Sequence, residues 1–301
     1  MALVKPILKW VGGKTQIIET VLQRFPRVIR DYHEPFLGGG SVLLGLLSTP
    51  SITLSGTIYA SDLNANLIGF YQSLQRAPED LIREIHVLIE EFAQCGDTEV
   101  HRTPTREQAF TSRESYYFWI RSQFNQMSAE QRMTPRGSAM VLFLNKTCFR
   151  GMYREGPHGF NVPYGNYVHI GIIDDHIRTV SRLIQRVVFR VQSFADSLRT
   201  VQPGDFVYLD PPYAPETNRS FVSYTTDGFA LEQHEALFTR CHALAAAGCS
   251  WMMSNADVPL VREAFPAPYS TLVLSCRRAI HSKKPDSKTE EVLIASPQGF
   301  A

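Results

Sequence analysis

No stretch of this 301-residue chain approaches eighteen uninterrupted apolar residues, the length a membrane-spanning helix needs. Its opening segment, MALVKPILKWVGGK, has too short an apolar run for a signal peptide. Cysteine is sparse: five residues (95, 148, 241, 249, 276), odd in number, scattered, and never in a C-x-x-C pair. That pattern argues against a disulfide scaffold and a cysteine zinc site, and for reduced thiols inside a cell. Of the nine histidines, His234 and His242 share one expected helix without carboxylates arranged beside them, so no metal is expected. Net charge is missing too. Lys and Arg number 30 against 29 Asp and Glu, a balance of +1, so the whole chain does not advertise a polyanionic partner. What is left, 44% hydrophobic and 20% charged, is the composition of a globular protein with one large core or two modest ones.

The charge that is present is unevenly placed. From Arg102 to Arg154 nine Lys and Arg stand against three Glu, a local +6. From Arg277 to Lys288 five stand against one Asp, a local +4. One such run alone reads as a solvated face. Two of them, offset by acidic surface elsewhere, fit a protein that binds nucleic acid on one side.

Along the chain, a short apolar entry (7–11) closes at Gly12-Gly13, and a helix is expected from Thr15 to Phe25, stopped by Pro26. DYHEPFLGGGSVLLGLL reads as strand, glycine turn, then a helix from about Ser41. GTIYASDLN is a second strand ending at Asp62, with a helix in ANLIGFYQSLQ after it. This is the alternation of a parallel sheet. After Pro78 come amphipathic helices with no strand between them, then a Gly-, Pro- and Asn-rich stretch, RGMYREGPHGFNVPYGNY, with ribbon or loop composition. The βα pattern resumes at RVVFRVQSF and ends in two strand-like pieces, TLVLSC and EEVLIA. The expected fold is α/β: a mixed sheet with helices on both faces, built from 1–75 and 169–301, interrupted by a mainly helical insert over 76–168.

Three segments carry candidate chemistry. Glycines 38, 39 and 40 lie between strand and helix, where backbone can approach a ligand, although Leu43 breaks the dinucleotide pattern G-x-G-x-x-G. Asp62 ends the next strand, where a carboxylate can hold ribose hydroxyls. Together they imply an adenosine-containing ligand. GGKT at 12–15 imitates the tail of a phosphate loop, but Leu8 stands where that loop needs glycine, which argues against an NTPase. Trp10 and Lys14 there offer a stacking surface and a cation, with a core position equally open for Trp10. FVYLDPPYAP runs an apolar strand into Asp210, and no strand continues through Pro211 and Pro212. Asp210 therefore stands at a strand's carboxyl end, where open α/β sheets bind ligands. If the Asp210 carboxylate and the Pro211 carbonyl each accept an N–H of an exocyclic adenine amine, its lone pair is freed for an electrophile. Tyr213 can stack on that base.

KWVGGK (9–14), EPFLGGGSV (34–42), SDLN (61–64), FNVPYGNY (160–167), FADS (194–197) and DPPY (210–213), in this order, resemble the Dam-type DNA adenine-N6 methyltransferases over nearly the whole chain. The resemblance implies the sheet of S-adenosyl-L-methionine (AdoMet) methyltransferases, with an antiparallel strand near the C-terminus, and duplex DNA as substrate. Carried over by motif, it gives Trp10, Lys14, Glu34, Phe36, Gly38, Gly40, Asp62, Asp196 and Asp210 to the cofactor. Asp210, Pro211, Pro212 and Tyr213 go to the target adenine. The segment FRGMYREGPHGFNVPYGNY looks like the family's DNA-reading hairpin, which assigns Lys146, Arg150, Met152, Arg154, Asn161, Pro163 and Tyr167 to DNA. Arg150 stands where the family often has Asn, and the segment from Arg154 to Phe160 is a residue shorter than in members reading GATC. Both departures weigh against GATC. The resemblance further implies an intracellular monomer or weak dimer, either an orphan enzyme or half of a restriction–modification system with a cognate restriction endonuclease.

Three rivals remain on the sequence alone. An NAD-dependent oxidoreductase conflicts with the missing third glycine and the DPPY turn. A DNA-binding protein without catalysis conflicts with the intact DPPY and cofactor motifs. A methyltransferase for RNA or a protein amide fits less well with the long basic insert and its aromatic hairpin.

Overall fold

The computed structural model describes residues 3–215, 229–277 and 288–298. The second basic run, from Arg277 to Lys288, lies outside the described residues except for the backbone at its two ends. Contacts divide the chain into two compact units, each assembled from three stretches. One comprises Lys14–Leu37, Gly45–Leu63 and Arg186–Ala301; the other comprises Met1–Gly13, Gly38–Leu44 and Asn64–Gln185.

The first is a sheet unit. Its strands are β1 (Tyr32–Glu34), β2 (Ile58–Asp62), β3 (Val187–Val191), β4 (Phe206–Leu209), β5 (Ser250–Ala256), β6 (Ser270–Arg277) and β7 (Lys288–Ala295). They lie in the order β6-β7-β5-β4-β1-β2-β3. The five strands β1 to β5 run parallel, whereas β7 is antiparallel to both β5 and β6. This is the mixed sheet expected, with its reversed strand in EEVLIA. All four residues of β4 are buried, as a central parallel strand covered on both faces requires. On one face Val207 and Leu209 pack with Leu237, Trp251, Met253 and Ile294. Phe25, Phe206 and Tyr208 form an aromatic cluster, with Phe25 and Phe206 centroids 4.6 Å apart. Strand order reverses between β1 and β4, and the carboxyl ends at such a reversal are where open α/β sheets bind ligands.

The helix expected over 15–25 is shorter than its sequence pattern. Lys14–Gln16 forms a 3₁₀ turn and only Ile18–Leu22 is α-helical. The cause is local: Ile17, at the N-cap, has no side chain able to accept a backbone N–H.

The second unit is helical, with α1 (Ala65–Arg76), α2 (Pro78–Ala93), α3 (Arg113–Gln126), α4 (Pro135–Thr147) and α5 (Asp174–Leu183). Their starts are written in the sequence. The Asn64 side chain accepts from Leu67 N at 3.0 Å, Ser112 and Thr134 cap α3 and α4, and prolines open α2 and α4. The apolar run GSAMVLFLN is the buried centre of the unit: α4 packs against α1, α2 and α3. The segment 76–168, read from sequence as an insert, lies within this unit, which also takes in α1 and α5.

Candidate functional site

In the sheet unit the parallel strands deliver acidic side chains to one edge. Glu34 is the last residue of β1 and is buried, its Oε2 accepting from the Tyr32 hydroxyl at 2.6 Å. Asp62 is the last residue of β2 and is half-buried. The loops after these strands are tied together by Leu37 N donating to Ser61 O at 3.0 Å. Phe36 stacks on Phe194 (5.6 Å between centroids) and meets the edge of Phe229, forming an apolar wall beside the carboxylates. Asp196 is exposed in the short helix Phe194–Ser197; it accepts from the Ser193 hydroxyl at 2.7 Å and pairs with Arg199 at 3.3 Å. Next to it, Ser197 Oγ accepts from Ser61 Oγ at 3.2 Å, which holds this helix beside the end of β2.

Asp210 follows β4 directly. The buried Lys14 ammonium, 2% exposed, lies 2.8 Å from its Oδ1, while the carboxyl keeps 20% of its surface open. Burial raises the Asp210 pKa above the usual aspartate value; Lys14 opposes that rise and Glu291 adds to it. The same ammonium sits 4.9 Å from the centre of the Tyr213 ring. The Tyr213 hydroxyl donates to Glu291 Oε2 at 2.8 Å, and Ala214 N donates to the Asn255 side chain at 3.0 Å. Burial, then Asp210 and Glu291, hold the Tyr213 phenol far above its usual range, so it remains a donor. The DPPY turn is thus fixed by β5 and β7. Sequence reasoning missed Glu291 and Asn255, whose relation to the turn comes only from strand register.

In the helical unit, Trp10, Gly38 and Gly40 come together. Gly38 and Gly40 have φ of +49° and +70°, and a Cβ at Gly38 would lie 3.0 Å from Trp10 Cδ1. The indole is also stacked on Tyr153, with centroids 5.4 Å apart at 28°.

The hairpin is present as a short antiparallel pair, Glu155–Gly156 with Gly159–Phe160. Asn125 of α3 clamps it, accepting from Phe160 N at 2.8 Å and donating to Phe160 O at 3.0 Å. Arg154 is exposed, and its guanidinium donates to Asn161 Oδ1 at 2.6 Å and to the Asn161 carbonyl at 3.3 Å. Arg150, exposed at φ +57°, lies 5.2 Å from the Phe149 ring. The Pro163 carbonyl accepts from Phe149 N at 2.8 Å. Met152 lines a small cavity with Trp10, Phe124 and Phe160. Tyr167 accepts from Lys9 Nζ at 3.2 Å and carries that ammonium over its ring at 4.4 Å. Lys146 is half-buried, and burial together with Lys9 lowers its pKa. Lys9, Phe149 and Tyr153 were not singled out from sequence, where only their closeness to the motifs pointed at them.

Among the described residues no group of three or more His, Cys, Asp or Glu could hold a metal ion, and no helix is long and apolar enough to cross a membrane.

Comparison with known proteins adds a family. Residues 10–280 match the D12 class N6 adenine-specific DNA methyltransferases. The chain is 34% identical over 260 residues to type II methyltransferase M.MjaIII of Methanocaldococcus jannaschii, covering 84% of each chain. It is 29% identical over 266 residues to type II methyltransferase M1.LlaDCHI of Lactococcus lactis subsp. cremoris, covering 87% of this chain and 84% of that one. With the DNA adenine methylase of Escherichia coli K12 it shares 26% over 293 residues, covering 97% and 94%.

Proposed function

Because the chain belongs to the D12 class of N6 adenine-specific DNA methyltransferases, we propose that the carboxyl edge of the sheet unit is where the methyl group is transferred, and that Asp210 is the residue at the reacting nitrogen. Enzymes of this class use S-adenosyl-L-methionine, which supplies a methyl group on a cationic sulfur. The side chains at this edge suit such a group: carboxylates at 34, 62, 196 and 210 for its hydroxyls and positive charge, and the Phe36–Phe194 wall for its adenine. We assign Asp62 to the ribose hydroxyls, Asp196 to the cofactor's adenine and Asp210 to the methionine amine. Trp10, Lys14, Glu34, Phe36, Gly38 and Gly40 are assigned to the same cofactor.

The target adenine, extruded from the duplex, stacks on Tyr213. One N6–H is accepted by Asp210 and the other by the carbonyl of Pro211, while Pro212 stiffens the turn that aims them. These acceptors draw the nitrogen toward sp³ geometry, so its lone pair points at the methyl carbon. When bound, S-adenosyl-L-methionine would supply the methyl carbon to N6, its sulfur leaving with the S–C electron pair, and the proton that N6 then sheds would pass to water. The position of Asp210 beside a buried ammonium, at the end of the central strand and against two prolines, carries this reading. Lys14 opposes the rise that burial gives the Asp210 pKa, and so favours the ionised carboxylate.

Asp210→Ala is expected to abolish methylation in single-turnover assays and to leave duplex affinity within about threefold, since none of the residues assigned to DNA is altered. Wild-type turnover by that variant would overturn the assignment.

DNA is assigned to the segment 76–168, with Arg150, Met152, Arg154, Asn161, Pro163 and Tyr167 at the hairpin and Lys146 on structure or a phosphate. The loss of Asn at 150 and the short 154–160 segment support a recognition sequence other than GATC. The enzyme then works inside the cell as a monomer or weak dimer. It is either an orphan or the partner of a restriction endonuclease that cuts the same sequence. Mapping N6-methyladenine in DNA from cells expressing the chain gives the recognition sequence directly.

A further inference from the structure

Trp10 has two close neighbours within the helical unit. One is the 38–40 turn, where a Cβ at Gly39 would come within 2.8 Å of Trp10 Cβ. That turn is itself tied to α1 through the Tyr71 hydroxyl, which donates to Gly39 O at 2.6 Å. The other is Tyr153, stacked on the indole, which precedes Arg154 in the segment that enters the hairpin. The Tyr153 ring is anchored by its hydroxyl in a closed triangle. Asn66 Nδ2 donates to the hydroxyl at 2.7 Å, the hydroxyl donates to Glu155 Oε1 at 2.7 Å, and Asn66 Nδ2 also donates to that oxygen at 3.0 Å.

Tyr153 is one residue from Arg154 and two from Glu155, which begins a hairpin strand paired with Phe160, itself clamped by Asn125. A shift of the hairpin on seating against a base edge therefore reaches the Tyr153 ring through the backbone and through its bond to Glu155, and from the ring the stacked indole. We propose that Tyr153 is a positioning residue that couples DNA recognition by the hairpin to cofactor binding, acting through the indole of Trp10. The proposal rests on the assignment of Trp10 to the cofactor and of the hairpin to DNA made above. Coupling of this kind is reciprocal: whatever factor DNA adds to cofactor affinity, the cofactor adds to DNA affinity. An aromatic stack sets its size at about two- to tenfold.

The experiment measures the dissociation constant of S-adenosylhomocysteine, which has no methyl group to transfer, with and without a duplex bearing a sequence the enzyme methylates. Their ratio is the coupling factor. It is expected to exceed two in the unaltered enzyme, to be retained in Tyr153→Phe, which keeps the ring, and to fall to about one in Tyr153→Leu. Tyr153→Met fills the same space without a ring and gives the same loss if the leucine variant does not fold. Combining Tyr153→Leu with Trp10→Leu is expected to remove no further coupling, as a shared link requires. A Tyr153→Leu or Tyr153→Met enzyme that keeps the full coupling factor overturns the link. Trp10→Leu leaving S-adenosylhomocysteine affinity unchanged in the absence of DNA overturns instead the cofactor assignment on which the link rests.

Discussion

An ammonium as buried as Lys14 needs an anion beside it, and Asp210 at 2.8 Å is that anion. The pairing makes the carboxyl's charge state depend on both groups. Burial raises the Asp210 pKa and Lys14 pulls it down. A protonated Asp210 cannot accept the N6–H and also hold a cationic amine, so kcat/KM should fall as pH drops through the Asp210 pKa. That acid limb is expected above the ordinary aspartate value of about 3.9. Lys14→Met removes the opposing cation, so the limb moves to higher pH. A pH–rate profile on both enzymes checks the direction; an unmoved or lowered limb in Lys14→Met contradicts it. Tyr213 offers a second test at this scale. Its hydroxyl is held by Glu291, and a hydrogen bond to a charged acceptor contributes about 1.5 kcal/mol or more. Glu291→Gln keeps a neutral acceptor worth about 0.5–1.5 kcal/mol, so it should lower kcat/KM by about tenfold or less, and Tyr213→Phe should add little on top of it. Additive losses in the double variant would mean that the two side chains act separately.

Among the elements, the hairpin carries the sharpest expectation. It is a two-residue ladder, too short to be rigid alone, and its stiffness comes from the Asn125 clamp on α3. Its exposed Arg154 is oriented by Asn161. A guanidinium bidentate to guanine contributes about 1–3 kcal/mol of discrimination. Arg154→Ala should cost roughly tenfold or more in kcat/KM on the preferred sequence, at about 1.4 kcal/mol per decade, and relax the choice of one outer base pair. Asn161→Ala, which frees the same guanidinium, should relax that base pair to a smaller extent. Methylating duplexes with single substitutions checks both. A uniform loss over all duplexes would mark Arg154 as a phosphate contact.

For the whole molecule, the basic run of the sequence shrinks once its partners are known. Of the nine cations from Arg102 to Arg154, Arg113 pairs with Asp97, Arg136 with Glu84, and Arg132 lies 4.0 Å from Glu155, while Arg121 donates to Val162 O. Those four serve the helical unit itself. Arg150→Ala should reduce the slope of log Kd against log salt by about one, and Arg136→Ala should leave that slope unchanged while lowering the melting temperature. The difference shows what could be read from sequence. Positions set by local pattern were legible: the strand stop at Asp210, the end of β2 at Asp62 and a strand in EEVLIA, while a reversed strand near the C-terminus was implied only by the resemblance. Residues brought in by register or packing were not. Glu291 reaches Tyr213 because β7 lies beside β5, Lys14 meets Asp210 across the length of the chain, and Tyr153 meets Trp10 through a hairpin whose fold depends on α3. None of these pairs has a periodicity or spacing that announces it.

The reversed strand also fixes an order of events. Among the described residues β6 has β7 as its one neighbour in the sheet, and β7 separates it from β5. During synthesis, β5 and β6 leave the ribosome with a gap between them that β7, which follows both in the chain, fills. At about 5–20 residues per second, the nascent chain therefore exposes two open strand edges until β7 arrives. The same segment brings Glu291 to the Tyr213 hydroxyl. A chain without β7 then lacks both the closed sheet and the acceptor that holds the Tyr213 hydroxyl, so the DPPY turn takes its final form only when the sheet closes.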